Sequence, residues 1–186
     1  MLHAVLISIP DNDRSVPGRE RMHRQREAAA QALDESARLS GLPRLTWDRD
    51  AAGVPVFDRG VCWSLSHKTS VAAGVVATTP VGLDVEIIEP RNPGLWDYVS
   101  TPWEQTLLAE RDWPTFFRLW TAKEAVLKAN RVGLSKLDAC RLVASPTCSG
   151  ATLTFEKSPW LVTFFASERI LAAVAHKGAE VAWHQA

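Results

Sequence analysis

Two acidic residues on one short stretch and a lysine-glutamate pair on another are the features of this sequence best suited to chemistry. Val81, Leu83, Val85 and Ile87 alternate with Gly82, Asp84, Glu86 and Ile88, the period-two pattern of a strand with one face buried. Asp84 and Glu86 therefore project to the same side, roughly 6 to 7 Å apart along the strand. Carboxylates that close repel and call for positive charge between them. A hard divalent cation meets that need, and Mg2+ in particular takes a few carboxylate oxygens together with substrate phosphate. A solvated acidic face on an edge strand is the competing explanation.

Downstream, Thr115 to Arg131 contains neither Gly nor Pro and is rich in Ala, Leu, Lys and Glu, so it reads as a helix. Projected at about 100° per residue, Phe116, Leu119, Trp120, Val126 and Leu127 form one apolar stripe. Lys123 falls inside that stripe. An unpaired ammonium there costs several kcal/mol (about that order), so Lys123 either snorkels to water or meets an anion. Glu124 and Lys128, four residues apart, sit side by side at the stripe's edge.

Taken together, Val81-Gly82-Leu83-Asp84-Val85-Glu86 and Trp120-Thr121-Ala122-Lys123-Glu124-Ala125-Val126-Leu127-Lys128 resemble the paired signature of the 4'-phosphopantetheinyl transferase superfamily. Ser64-Leu65-Ser66-His67 resembles the Ser-His element of its longer, single-chain (Sfp-like) branch, and His23-Arg24 resembles a His-Arg pair that holds a coenzyme A phosphate there. The resemblance covers roughly Met22 to Leu142. Asp50-Ala51-Ala52-Gly53-Val54-Pro55 departs from it: relatives often carry Gly-Lys-Pro where this chain has Val54, leaving backbone amides of the turn as the expected contribution.

The resemblance implies an α+β fold of two similar α+β halves related by a pseudo-twofold axis, each with a small, mainly antiparallel sheet packed on a long helix. Residues 1–79 would carry the coenzyme-binding helix and the Ser-His element. Residues 80–186 would carry the metal site and the carrier-protein docking surface, with the boundary near Thr79-Pro80. The implied reaction is Mg2+-dependent transfer of phosphopantetheine from coenzyme A to a serine of an apo acyl or peptidyl carrier protein, of the holo-acyl-carrier-protein synthase type, releasing adenosine 3',5'-bisphosphate.

On that reading Asp84, Glu86 and Glu124 hold the metal, while Arg24, Ser66, His67, Lys68, Lys123 and Lys128 bind the coenzyme. Asp84, His67 and Lys128 act in catalysis, and the serine proton goes to Glu124 or to a water assisted by Glu104. Positioning and electrostatics carry most of such a phosphoryl transfer. Arg91, Arg111 and Arg118 are available to an acidic carrier helix. Two other classes compete with it. A metal-dependent nuclease is disfavoured by the order Lys123-Glu124, and a non-catalytic homologue that binds carrier protein or coenzyme A without turnover is the main alternative.

The elements that must position these residues follow from the rest of the chain. The 186 residues suit one domain or two small halves. Twenty-one basic residues balance 21 acidic ones, which argues against a nucleic-acid binder. Cys62, Cys140 and Cys148 have neither an even count nor a zinc spacing and read as reduced thiols of a cytoplasmic protein. Met1 to Pro10 reads as a first strand, and no segment is long and uncharged enough to span a membrane. A loop over Asp11–Gly18 and a helix over Arg19–Ser40 are expected next. Strands follow over Val61–Leu65 and Val71–Ala77, then a breaker-rich loop from Glu89 to Gly94. The aromatic stretch Leu95–Arg111, with Trp96, Tyr98, Val99 and Trp103, is either core or a docking surface. Leu134–Val143, Ala151–Phe155, Trp160–Ala166 and Ile170–Ala175 are strand-like, the last two as a hairpin. The branch resembled is typically monomeric, and a monomer is expected.

Overall fold

In the computed structural model, residues 1–10 and 18–186 are described; the loop expected over Asp11–Gly18 lies outside them, except for Gly18. Strand β1 (Leu2–Ser8) precedes helix α1 (Gly18–Leu39), which is followed by β2 (Cys62–Lys68), β3 (Val71–Ala77) and β4 (Gly82–Ile87). Three helices come next: α2 (Leu95–Val99), α3 (Pro102–Leu107) and α4 (Trp113–Ala129). A 3-10 turn at Leu134–Ala139 leads into β5 (Cys140–Leu142), β6 (Gly150–Phe155), β7 (Ser158–Ala166), β8 (Ile170–His176) and β9 (Val181–Gln185). The strands form two sheets, ordered β2-β3-β1-β9 and β4-β8-β7-β6-β5. Every pairing is antiparallel except β1 with β9. This is the α+β architecture expected, with one long helix laid on each sheet.

Both helices approach their sheets closely, and the sequence shows why. The face of α1 that meets the first sheet is built from Ala28, Ala29, Ala32, Leu33, Ser36 and Ala37, mostly small residues that let backbones come together. Where α1 crosses β3 stands Gly74; a Cβ there would lie 2.8 Å from the Leu33 nitrogen. Ser36 adds two polar ties, donating to the His3 carbonyl at 2.5 Å and accepting from the Val76 N–H at 2.9 Å. The second half repeats the arrangement with Gly82 of β4 against α4. A Cβ on Gly82 would lie 1.9 Å from the Ala125 carbonyl oxygen and 2.5 Å from the Ala129 nitrogen. Helix α4 starts at an Asp112 cap that accepts the Thr115 N–H at 2.9 Å and buries Phe116, Phe117, Leu119, Val126 and Leu127 against the second sheet.

The two sheets meet where β2 faces β4. Ser64 on β2 accepts the Leu83 N–H at 2.9 Å, so a side chain stands in for the backbone ladder that would otherwise join the strands. One expectation is corrected here. Leu134–Val143 is not one strand: Leu137 and Cys140 are buried at a spacing of three, the period of the 3-10 turn that replaces it, and only Cys140–Leu142 pairs. The β9 segment was not anticipated, because its residues are mostly half-buried and carry no clean alternation. It returns from the second half to pair with β1, so the division at Thr79-Pro80 does not separate the sheets.

Replacing Gly82 with Ala forces helix α4 off β4 and should lower unfolding free energy by about 1 to 3 kcal/mol, the usual cost of overpacking. Urea denaturation of the variant beside wild type measures it.

Candidate active site

Asp84 and Glu86 come from β4, the whole residues only 4% and 5% exposed, on the side that faces β2 and α4. Each is met by a lysine. Lys128 of α4 donates to Asp84 Oδ1 at 2.7 Å, and Lys68 at the end of β2 lies 2.9 Å from Glu86 Oε1. Neutral donors complete the first layer. Ser66 Oγ donates to Asp84 Oδ1 at 2.9 Å, and Trp120 Nε1 donates to Glu86 Oε1 at 2.9 Å. Ser66 therefore acts on the carboxylate, whereas the sequence placed it on the coenzyme.

Asp84 Oδ2 is buried and accepts no hydrogen bond from the described residues. Such an oxygen normally loses about 1 to 3 kcal/mol through unmet hydrogen bonding, so its persistence marks a place for an external electrophile or donor. Glu124, half-buried one helical turn before Lys128, feels the other two acids. Burial pushes its carboxyl up, and Asp84 and Glu86 push it further, against the opposing pull of Lys128 and Lys68. The three expected metal ligands are thus neighbours electrostatically. They do not converge into a cage, however: among the described residues no three His, Cys, Asp or Glu side chains stand close enough to hold an ion by themselves. The ammoniums of Lys68 and Lys128 instead occupy one oxygen each of Glu86 and Asp84. Hard oxygen donors and one orphaned oxygen still fit a divalent cation in type.

Lys123 and Glu104 are placed elsewhere. Lys123, 2% exposed, lies 2.8 and 2.9 Å from the two oxygens of Glu104, which is 0% exposed, and also donates to the Val99 carbonyl at 2.8 Å. Glu104 further accepts N–H groups from Thr101 at 2.9 Å and Leu142 at 2.8 Å. Burial pushes the Glu104 carboxyl up, but the Lys123 hydrogen bond and the two backbone amides outweigh it and hold it below the usual range. Both side chains are fully engaged, so neither reaches a phosphate or a serine proton. The anion that Lys123 needed on its apolar face is Glu104, a clamp joining α2, α3, α4 and β5.

A cleft runs from this acidic centre along the first half. A cavity of about 360 Å³ bordered by Lys128, Arg131, Val54, Pro55 and Leu65 continues into one of about 530 Å³ bordered by Arg26, Arg49, Trp47 and His67, with Arg49, Gly53 and Leu65 shared. His67 is half-buried; burial lowers its imidazole pKa, and Lys128, Lys68, Arg26 and Arg49 lower it further. Arg24 is not part of that wall. It is exposed and pairs with Glu20 one turn back, as His23 does with Glu27 one turn ahead. The helical projection carried the signal: Arg26 lies about 70° from the centre of the buried α1 stripe and Arg24 about 130°. Arg49 and Arg131 had no comparable signal, since both depend on backbone folds outside the long elements. On the other side of Glu86, Lys68, Arg91, Leu95, Phe116, Phe117 and Trp120 surround a recess of about 280 Å³. The aromatic stretch divides accordingly, with Trp96 and Val99 buried and Tyr98 and Trp103 53% and 64% exposed.

The family profile described as the 4'-phosphopantetheinyl transferase superfamily matches residues 80–177, which include both β4 and α4. The chain belongs to that superfamily. A 4'-phosphopantetheinyl transferase of Nostoc sp., HetI, is 30% identical over 147 residues, covering 73% of this chain and 62% of its own length. The 4'-phosphopantetheinyl transferase psf-1 of Bacillus pumilus is 32% identical over 100 residues, covering 50% of this chain and 43% of its own length. The chain therefore spans less than two thirds of either relative. Asp84, Glu86, Glu104, Lys123, Glu124 and Lys128 all fall within the superfamily match, whereas the cleft residues Arg26, Arg49 and His67 precede it.

Two stability measurements separate these groups. Lys123→Met leaves Glu104 buried without its cation and should cost about 3 to 5 kcal/mol by chemical denaturation. Glu124→Gln should do the opposite. Because folding raises the Glu124 pKa, its favourable contribution is complete below the ordinary 4.5 and is lost as pH rises through the raised value. The neutral variant should melt above wild type in metal-free buffer near neutral pH, with the gap closing as pH falls below 4.5.

Proposed function

We propose that this chain is a 4'-phosphopantetheinyl transferase that moves the phosphopantetheine group of coenzyme A onto a serine of an apo acyl or peptidyl carrier protein and releases adenosine 3',5'-bisphosphate. One observation carries the reading: Asp84 Oδ2 is buried and unpartnered beside Glu86, Glu124 and Lys128, at the end of a cleft lined by cations. Superfamily membership supports the same reaction class. Asp84 and Glu86, with Glu124 drawn in, are the residues suited to hold Mg2+. When bound, the ion supplies charge to the pyrophosphate oxygens and polarises the phosphorus.

The chain's own residues perform the remaining tasks. Lys128 and His67 border the cleft and Lys68 the recess beyond Glu86, where fixed positive charge favours the transition state over the ground state. Ser66 and Trp120 fix the rotamers of Asp84 and Glu86 through one hydrogen bond each. Glu124, half-buried on α4 beside the two strand acids, is the carboxylate we assign to accept the serine proton. The recess beyond Glu86 gives that serine an approach opposite the nucleotide, and Arg91 on its rim is one of the cations offered to an acidic carrier helix. Such rim charges influence encounter rate more than affinity. The protein is proposed to act as a monomer in the cytoplasm, without nucleic-acid or membrane partners; no helix among the described residues is long and apolar enough to cross a membrane.

Mass spectrometry of apo carrier proteins incubated with coenzyme A, Mg2+ and this protein tests the reading through the appearance of the phosphopantetheine adduct. Asp84→Asn should reduce turnover by at least about 100-fold, and it should abolish the rise in melting temperature that Mg2+ gives wild type through binding to the folded state. Coenzyme A binding without any adduct on several carriers would instead identify a non-catalytic homologue.

A further inference from the structure

The two strand acids hold their lysines differently. Asp84 gives Oδ1 to both Lys128 and Ser66 and keeps a second buried oxygen, Oδ2, without a partner among the described residues. A divalent cation can therefore meet Asp84 while Lys128 stays in place. Glu86 receives Lys68 and Trp120 on the same oxygen, Oε1, each at 2.9 Å. The indole is neutral, whereas the ammonium ends a flexible stem and carries the charge that a metal would replace. Taking Lys68 away leaves Oε1 bonded to Trp120, so the exchange orphans no acceptor.

The surroundings of Lys68 favour its release. Its side chain is 36% exposed against 7% for that of Glu86, so the lysine reaches the pair from the wet side and regains hydration on leaving. On that side lies the recess of about 280 Å³, which Lys68 borders together with Arg91, Leu95 and Trp120. The backbone is fixed independently of the ammonium: Lys68 ends β2, pairs with Val71 of β3, and accepts Gln25 Nε2 on its carbonyl at 3.3 Å. The strand holds position while the side chain swings. A dication on Asp84 and Glu86 repels a neighbouring ammonium and pulls on the same carboxylate, so the two cations exclude each other there.

We infer that Lys68 is a displaceable counter-ion of the acidic centre: it neutralises Glu86 in the metal-free protein and competes with a divalent cation for that carboxylate. The inference rests on the reading of Asp84 and Glu86 as metal ligands. Displaced, the ammonium remains on the border of the recess as a positive charge. Lys68 thereby raises the concentration of free cation at which the centre fills, and it returns to Glu86 when the cation leaves.

Isothermal titration of Mg2+ into the full chain, with and without coenzyme A, tests this. Lys68→Met keeps most of the stem and removes the charge; it should bind Mg2+ about three- to tenfold more tightly than wild type, the scale of a partly exposed ion pair. Lys68→Gln should do the same, whereas Lys68→Arg, which keeps the charge, should stay within about twofold of wild type. Melting temperatures read the competition from the other side. Lys68→Met should melt below wild type in metal-free buffer, where Glu86 has lost its cation, and the gap should close as Mg2+ is added. A lysine with a structural role alone would lower stability at every Mg2+ concentration and leave Mg2+ affinity unchanged. That result, or weaker Mg2+ binding by the neutral variants, would overturn the proposal and leave the metal reading standing. A wild type that takes up no Mg2+ under either condition would overturn both.

Discussion

Like charge confined at a seam is the constraint around which this molecule is arranged. Asp84 and Glu86, almost wholly removed from water, lie where β4, β2 and α4 meet, and Glu124 of α4 is near enough to feel both charges. Left to themselves they would separate or take up protons. What prevents this is a set of donors from two elements: Lys128 and Trp120 from α4, and Lys68 and Ser66 from β2. The close approach of α4 to β4 at Gly82 is what brings those donors within reach. The fold tolerates an electrostatically unfavourable centre because the packing around it leaves its parts nowhere else to go.

Helix α4 carries two ion pairs whose roles diverge although their lysines are five residues apart. Lys123 and Glu104 are sealed from solvent and saturated with hydrogen bonds, so exchanging either ion for a ligand would leave a buried charge behind. Lys128 and Asp84 are at the cleft, with Lys128 side chain 30% exposed and one Asp84 oxygen unpartnered. That pair can rearrange around a newcomer at modest cost. Burial and satisfaction, more than residue type, separate a strut from a working group here.

This distinction also explains what the sequence could and could not convey. Periodicity located β4 and α4, and with them Asp84, Glu86, Glu124 and Lys128, because those signals are local. It also flagged Lys123 as needing an anion. It did not name Glu104, whose capping position nineteen residues earlier in the chain is brought to Lys123 only by the turn between α3 and α4. The resemblance points to Arg24, whereas the helical projection points to Arg26. Arg49 was invisible because its placement depends on hydrogen bonds inside an irregular turn, and β9 because a half-buried edge strand lacks a hydrophobic period.

Strand β9 has one more consequence. By leaving the β4-β8-β7-β6-β5 sheet's half of the chain and lying parallel to β1, with Leu2 opposite Val181 and Leu6 opposite Gln185, it makes the first and last strands of the described fold neighbours. The first sheet therefore includes a strand that the chain supplies only after the second sheet is complete. The two sheets also share an apolar cluster containing Val75, Leu83 and Val174, so melting should be a single cooperative event.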